Sequence, residues 1–115
     1  MKKIYYLSSC STCSRIIKDL NLQKHNFIFQ DIKTEKITSV QLEEMKNMAG
    51  SYESLFSRVA LKYKTLNPKP EKESEYKKLI LEEYTFLKRP VIINGKHIFV
   101  GNSKKVIETA KESLV

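Results

Sequence analysis

The 115 residues suffice for one domain with a buried core, and their apolar and charged fractions, 41% and 30%, are ordinary for a globular protein. No run approaches the roughly 20 apolar residues that span a bilayer, and the apolar stretch after Met1 is too short for a signal-peptide core. A cytoplasmic protein without membrane contact is therefore expected. The net charge of +8 favours acidic partners, but the lysines are interspersed with glutamates, so direct sequence-specific nucleic-acid binding is not expected.

The N-terminal third predicts a strand, a helix and a second strand. The run KKIYYL is rich in β-forming residues. Residues at helical spacing follow it: Cys13, Ile16, Ile17 and Leu20. After the turn-prone pair His25-Asn26, the segment FIFQDIK predicts the second strand.

The middle of the chain predicts helices. TSVQLEEMKNMAG has a capping box, Thr38 with Gln41, and Gly50 as a left-handed stop. SYESLFSRVALKYKTLNPKP predicts short helical turns that end at two prolines. The periodicity of EKESEYKKLILEEYTFL predicts a longer helix that reaches Leu87.

The C-terminal third predicts a hairpin and a closing helix. Two β-rich runs flank Asn94-Gly95 in RPVIINGKHIFVG, and SKKVIETAKESLV places Ala110 and Leu114 on one face. The element order predicts an α/β, thioredoxin-like fold: a central mixed four-stranded sheet made of a β-α-β half and a β-β-α half. We expect a single domain, residues 1–115, with a helical insertion at about 38–87.

The only two cysteines, Cys10 and Cys13, lie where the first strand passes into the first helix. Helix N-terminal amides lack internal partners and carry partial positive charge, which stabilises a thiolate. Cys10 is therefore the expected nucleophile, and Cys13 is placed to resolve a mixed disulfide. Arg15 adds positive charge if its side chain turns back toward the thiols.

Three other interpretations of this thiol pair compete with the redox interpretation. A zinc site needs about four ligands, and His25 and His97 show no spacing that would complete one. A structural disulfide fits poorly with a cytoplasmic chain. Cys13 as a simple core residue, with Cys10 a lone reactive thiol, stays open. No metal and no cofactor are expected.

Three segments together resemble the arsenate reductase family of glutaredoxin-like proteins, which includes the Spx branch of disulfide-stress regulators. They are YYLSSCSTCSR, LFSRVALKYKTLN and LKRPVIINGKHIFVG, and they extend over nearly the whole chain. The resemblance implies Cys10 as the catalytic cysteine, Arg89 as an anion- or thiolate-stabilising arginine, and Pro90 in a cis peptide bond beside the thiol. Thr12, Arg15 and Arg58 are further binding candidates.

The sequence departs from this family at several positions. The family's Cys-Gly-Thr-Ser-Arg is Cys10-Ser11-Thr12-Cys13-Ser14 here, so a second thiol replaces a serine. Of the three arginines that hold the oxyanion in arsenate reductases, Arg89 matches one, a second maps near Glu53, and the third position, near Gly101, has none. Efficient arsenate reduction is therefore not expected.

The resemblance implies a thiol–disulfide redox protein. Its expected partner is a thiol reductant (glutathione, as a co-substrate, glutaredoxin or thioredoxin) or a protein thiol substrate. One alternative is an Spx-like redox-sensing transcriptional regulator that binds the α subunit of RNA polymerase. Lys88-Arg89 occupies the place of the arginine doublet that this branch often has before the proline, with lysine in place of the first arginine. The other alternative is a true arsenate reductase that depends on glutathione and glutaredoxin.

Overall fold

A computed structural model describes the whole chain, residues 1–115. It divides the chain into two compact units: Met1–Glu35 with Arg89–Val115, and Lys36–Lys88. In sequence the second unit interrupts the first, and the helical insertion at about 38–87 stays a prediction. The assignment of the whole chain to a single domain stays a prediction.

The first unit is built on a four-stranded sheet in the order β2-β1-β3-β4. Strand β1 (Lys2–Tyr6) is parallel to β2 (Ile28–Asp31) and antiparallel to β3 (Val91–Asn94), and β3 is antiparallel to β4 (His97–Val100). Helix α1 (Ser11–Asp19) supplies the crossover that a parallel strand pair requires.

Helices α1 and α4 (Lys104–Glu112) contribute to one hydrophobic core with residues of the sheet. Successive strand residues point to opposite faces, so one alternating set reaches this core. Its buried members are Ile4, Ile16, Leu20, Leu22, Phe27, Ile92 and Ala110. This mixed sheet of a β-α-β half and a β-β-α half confirms the predicted thioredoxin-like α/β fold.

The second unit contains helices α2 (Ser39–Ala49) and α3 (Glu73–Glu82). The predicted capping box is confirmed, because Thr38 Oγ1 accepts from the Gln41 amide at 3.1 Å and Gln41 Oε1 accepts from the Thr38 amide at 3.1 Å. Gly50 ends α2 with a φ of 104°, as the left-handed stop requires.

The helix expected to reach Leu87 is shorter than predicted. Helix α3 ends at Glu82, Glu83 is extended, and Tyr84–Phe86 form one turn of 3₁₀ helix. The prediction was wrong here because aromatic and β-branched residues have low helix propensity and the Glu83 carboxylate bonds Lys62. Leu87 is still buried, but it lies in an isolated β-bridge rather than on the helix.

The short helical turns predicted in the middle are confirmed as 3₁₀ segments, Glu53–Leu55 and Leu61–Thr65. None of the helices has both the length and the apolar content needed to cross a bilayer.

The predicted hairpin is present, with its turn one residue further along than expected. Asn94 pairs with His97, so the two turn residues are Gly95 and Lys96 rather than Asn94 and Gly95. Gly95 has a φ of 63°, and its amide donates to the carbonyl of Met1 at 2.8 Å. The turn is thereby fixed to the start of β1.

Candidate active site

The chain turns from β1 into α1 so that Cys10 becomes the N-cap residue of the helix. The Cys10 amide donates to the Leu7 carbonyl at 3.0 Å, and the Cys10 carbonyl accepts from the Ser14 amide at 3.1 Å. A thiol therefore stands where serine, threonine or aspartate usually caps a helix. Cys10 is partly exposed, so this thiol is accessible to a substrate.

Cys13 is free like Cys10 but fully buried. Burial, which is the largest cause, and the neighbouring Cys10 together raise the pKa of Cys13 to about 11, against lowering contributions from a backbone hydrogen bond at Leu7 and from Arg89. At neutral pH Cys13 is therefore held as the protonated thiol.

The pKa of Cys10 is shifted in the opposite direction. Partial burial acts to raise its pKa, but hydrogen bonds from the Cys13 amide, the Cys13 thiol and the Thr12 amide, together with the charge of Arg89, hold the pKa of Cys10 below its ordinary value. The turn thus presents one accessible thiol whose ionisation is favoured and keeps a protonated thiol within hydrogen-bond reach of it.

Arg89 and Pro90 precede β3, and the peptide bond between them is cis, as the resemblance implied. The Gly101 amide donates to the Pro90 carbonyl at 2.9 Å, and Asn102 Nδ2 donates to the Arg89 carbonyl at 3.2 Å. Nη1 of Arg89 is buried without a hydrogen-bond partner. The charge of the Arg89 guanidinium acts on the thiols of both Cys10 and Cys13.

The other site residues predicted from the sequence, Thr12, Arg15 and Arg58, have different environments in the structure. Thr12 acts on Cys10 through its backbone amide, and Arg15 is exposed without a hydrogen bond or ion pair. Arg58 lies in the second unit, where its Nη2 atom donates to Glu53 Oε2 at 2.7 Å and to Tyr76 Oη at 2.8 Å. Its guanidinium therefore already has two partners. The structure gathers no group of three or more metal-ligating side chains.

Sequence reasoning missed the residues that support the thiol turn. Ser8 donates a hydrogen bond to the Asp31 carboxylate at the end of β2, and this bond is the main cause that lowers the pKa of Asp31. Asn102 was missed as the residue that holds the Arg89 carbonyl. The only available signal was position, because Ser8 precedes the cysteines closely and Asp31 ends a strand.

Fold and site together define a thioredoxin-like protein with two thiols at a helix N-terminus near a cis-proline. The model of the ArsC family matches residues 5–110, so the chain belongs to the ArsC family. No match was found among curated proteins.

Solved structures of similar fold cover nearly the whole chain. The YFFB (PA3664) protein has a TM-score of 0.84 at 20% identity, with 100% of both chains covered. An arsenate reductase from Vibrio cholerae has a TM-score of 0.78 at 15% identity, with 96% of this chain and 95% of that chain covered. An ArsC family related protein from Bacteroides fragilis has a TM-score of 0.77 at 20% identity, covering 94% and 95%. At these identities the likeness is one of fold.

Proposed function

We propose that this member of the ArsC family is a thiol–disulfide oxidoreductase, with Cys10 as nucleophile and Cys13 as resolving thiol. The observation that carries the proposal is the opposite environment of the two thiols. Cys10 is accessible with a lowered pKa, whereas Cys13 is buried with a pKa of about 11. Arg89 adds positive charge near the nucleophile.

The reaction begins when the Cys10 thiolate attacks one sulfur of a substrate disulfide. A Cys10–substrate disulfide forms, and the other substrate sulfur leaves as a thiolate. Cys10 then no longer carries the negative charge that helped to raise the pKa of Cys13. Cys13 therefore loses its proton more easily at this stage than in the resting protein.

Cys13 gives its proton to the leaving thiolate or solvent and attacks the Sγ atom of Cys10. The second substrate thiolate leaves, and the two electrons have passed from the protein thiols to the substrate. A thiol reductant such as glutathione, glutaredoxin or thioredoxin then reduces the Cys10–Cys13 disulfide and completes the cycle.

Single cysteine variants test this proposal. Cys13→Ser is expected to accumulate a mixed disulfide with a model disulfide substrate, because the resolving thiol is absent, whereas Cys10→Ser is expected to form none. Intact-protein mass spectrometry detects the adducts. If Cys10→Ser reduces the substrate as fast as the wild type, the assignment of roles is wrong.

A redox-sensing regulator that binds the α subunit of RNA polymerase is the second candidate. The observation that favours it is the exposure of Val59 and Leu61, 89% and 81%, close in sequence to Arg58 in the second unit, because a protein contact would cover such apolar side chains. Pull-downs with purified α subunit would compare reduced and oxidised protein. If neither the reduced nor the oxidised protein binds the α subunit, this candidate is rejected. Repeated reduction of a disulfide substrate in the presence of a thiol reductant supports the oxidoreductase.

A further inference from the structure

A groove of about 410 Å³ lies beside α1 in the first unit. This volume is in the range of sites that bind small molecules or single side chains of a peptide. Seven residues from β1, α1, β2 and the segment after α1 form its lining: Tyr6, Ser14, Ile17, Lys18, Asn21, Gln23 and Phe29.

The lining combines apolar walls with unengaged polar groups. Ile17 and the edge-to-face pair of Tyr6 and Phe29, with ring centroids 5.8 Å apart, form the apolar part. The side chains of Ser14 and Lys18 make no hydrogen bond or ion pair within the protein. Lys18 is the only charged residue of the lining, which contains no carboxylate. The groove therefore suits an apolar side chain with a carboxylate next to it.

The groove continues the helix face on which Cys10 lies. At 100° per residue, Cys10, Ser14 and Ile17 fall within an arc of about 60° of α1, and Asn21 follows the end of the helix. The Ser14 amide donates to the Cys10 carbonyl, so the near end of the groove is one helical turn from the thiol. Ile17 lies about 10 Å from Cys10 along the helix axis, a distance spanned by two or three residues of an extended peptide.

The charge of the first unit favours an acidic occupant. It contains eleven lysine and arginine residues against five aspartate and glutamate residues, so it holds most of the net charge of +8. An acidic segment is attracted to this unit before it reaches Lys18.

We propose that this groove is a specificity subsite for a peptide substrate in which a large apolar residue and an adjacent acidic residue lie two or three positions from the disulfide-bonded cysteine. The proposal rests on the proposed oxidoreductase function and names its substrate class. The apolar side chain packs on Ile17 and Phe29, the carboxylate pairs with Lys18, and the peptide sulfur faces Cys10.

The test uses synthetic peptides whose single cysteine is capped with thionitrobenzoate. Cys10 attacks the peptide sulfur and releases coloured thionitrobenzoate, and Cys13 then releases the reduced peptide, so one turnover needs no added reductant. Peptides carry Phe-Glu, Phe-Lys or Ala-Glu, placed in one series before and in another after the cysteine. Phe-Glu is expected to react about fivefold faster than either comparison peptide in at least one series, the size of an exposed ion pair or a partly buried ring.

Variants separate the two parts of the groove. Lys18→Glu is expected to reverse the preference between Phe-Glu and Phe-Lys, and Ile17→Ala to abolish the preference for phenylalanine over alanine. Lys111→Glu makes the same charge change on an exposed position of α4 outside the groove and is expected to keep both preferences. An equal effect of Lys18→Glu and Lys111→Glu would overturn the subsite, because only the net charge would then matter.

An uncharged small disulfide, dithiodipyridine, distinguishes failure of the subsite from failure of the proposed function. If it oxidises Cys10 and Cys13 while no peptide is preferred in either series, the groove is not a specificity site and the oxidoreductase function stands. If dithiodipyridine does not react with Cys10, the proposed function fails and the subsite fails with it.

Discussion

Cys10 and Cys13 are identical side chains whose pKa values are shifted in opposite directions, and this difference predicts their rates of alkylation. A pKa of about 11 for Cys13 leaves it a far smaller thiolate fraction at pH 8 than Cys10, whose pKa lies below its ordinary value. Even a cysteine with the ordinary pKa of about 8.5 has a thiolate fraction at pH 8 that exceeds that of Cys13 by a factor on the order of 100, and the greater nucleophilicity of the more basic thiolate offsets about tenfold of this factor. Iodoacetamide is therefore expected to label Cys10 at least about tenfold faster, as followed by peptide mass spectrometry. Faster labelling of Cys13 would contradict the assignment.

The charge of Arg89 predicts a smaller effect at the same site. The charge of Arg89 contributes less to the pKa of Cys10 than partial burial and the hydrogen bonds from Cys13 and Thr12 do. Its removal should therefore raise that pKa only modestly. For Arg89→Gln we expect about a two- to fivefold slower reaction of Cys10 at neutral pH, the size of a partly screened charge interaction. Arg15→Gln is the matched control and should leave the rate unchanged, because Arg15 is exposed. Equal loss in both variants would indicate a general charge effect.

At the scale of single residues, the sequence predicted the thiol pair but not the hydrogen bonds and the groove that surround it. The position of Cys10 after a strand and before a helix was sufficient to place it at an N-cap. The bond from Asn102 to the Arg89 carbonyl joins residues 13 positions apart in different loops. The groove beside α1 likewise combines residues from separate elements. Local patterns carry no information on such contacts, because they depend on how the elements pack.

Among the elements, α2 has the capping box with the clearest consequence for stability. Thr38→Ala removes the acceptor of the Gln41 amide at the helix start. We expect a loss of about 1 kcal/mol in the free energy of unfolding, within a usual range of about 0.5–2 kcal/mol. Urea denaturation followed by circular dichroism measures it. Thr109→Ala is the control, since its hydroxyl bonds only the Lys105 carbonyl within α4. A loss no larger than that of the control would show that the cap contributes nothing.

The elements were predicted best where local signals were strongest. The capping box, the left-handed Gly50 and the order of strands and helices follow from residue types and spacing. The end of α3 could not be predicted in this way, because the apolar periodicity continues to Leu87 while the backbone becomes extended at Glu83. Leu87 is buried through a β-bridge to Phe56, a contact distant in sequence that no helical pattern can reveal.

For the whole molecule, mild oxidation is expected to give a Cys10–Cys13 disulfide within one chain and no covalent dimer. The thiols share a hydrogen bond, and a three-residue separation at a helix start is compatible with the roughly 4.4–6.8 Å between Cα atoms that a disulfide needs. A non-reducing gel with mass spectrometry of the oxidised protein decides this. Cys13→Ser is the control that permits intermolecular pairing through Cys10. A wild-type gel dominated by dimer would contradict the expectation.

The distribution of arginines predicts that arsenate is a poor substrate. Only Arg89 combines a position matching the family with a buried unpaired nitrogen, while Arg58 is bonded to Glu53 and Tyr76. Each missing charge-assisted hydrogen bond costs about 1.5–3 kcal/mol, so two missing arginines lower the rate by a factor on the order of 10² to 10⁴. We expect almost no arsenite from arsenate with glutathione and glutaredoxin, in a preparation that still reacts with dithiodipyridine. A turnover of about 1 s⁻¹ would contradict this.

The bond between the Gly95 amide and the Met1 carbonyl determines where a probe can be attached without disturbing the thiols. Strand β1 runs from this bond toward Cys10, and its five residues span roughly 17 Å. A fluorophore or surface linker on the amino group of Met1 therefore sits at the opposite end of the sheet from the reactive sulfur. Immobilised through Met1, the protein presents Cys10 to the surrounding solution, the orientation that capture of disulfide-bonded partners on a sensor surface requires.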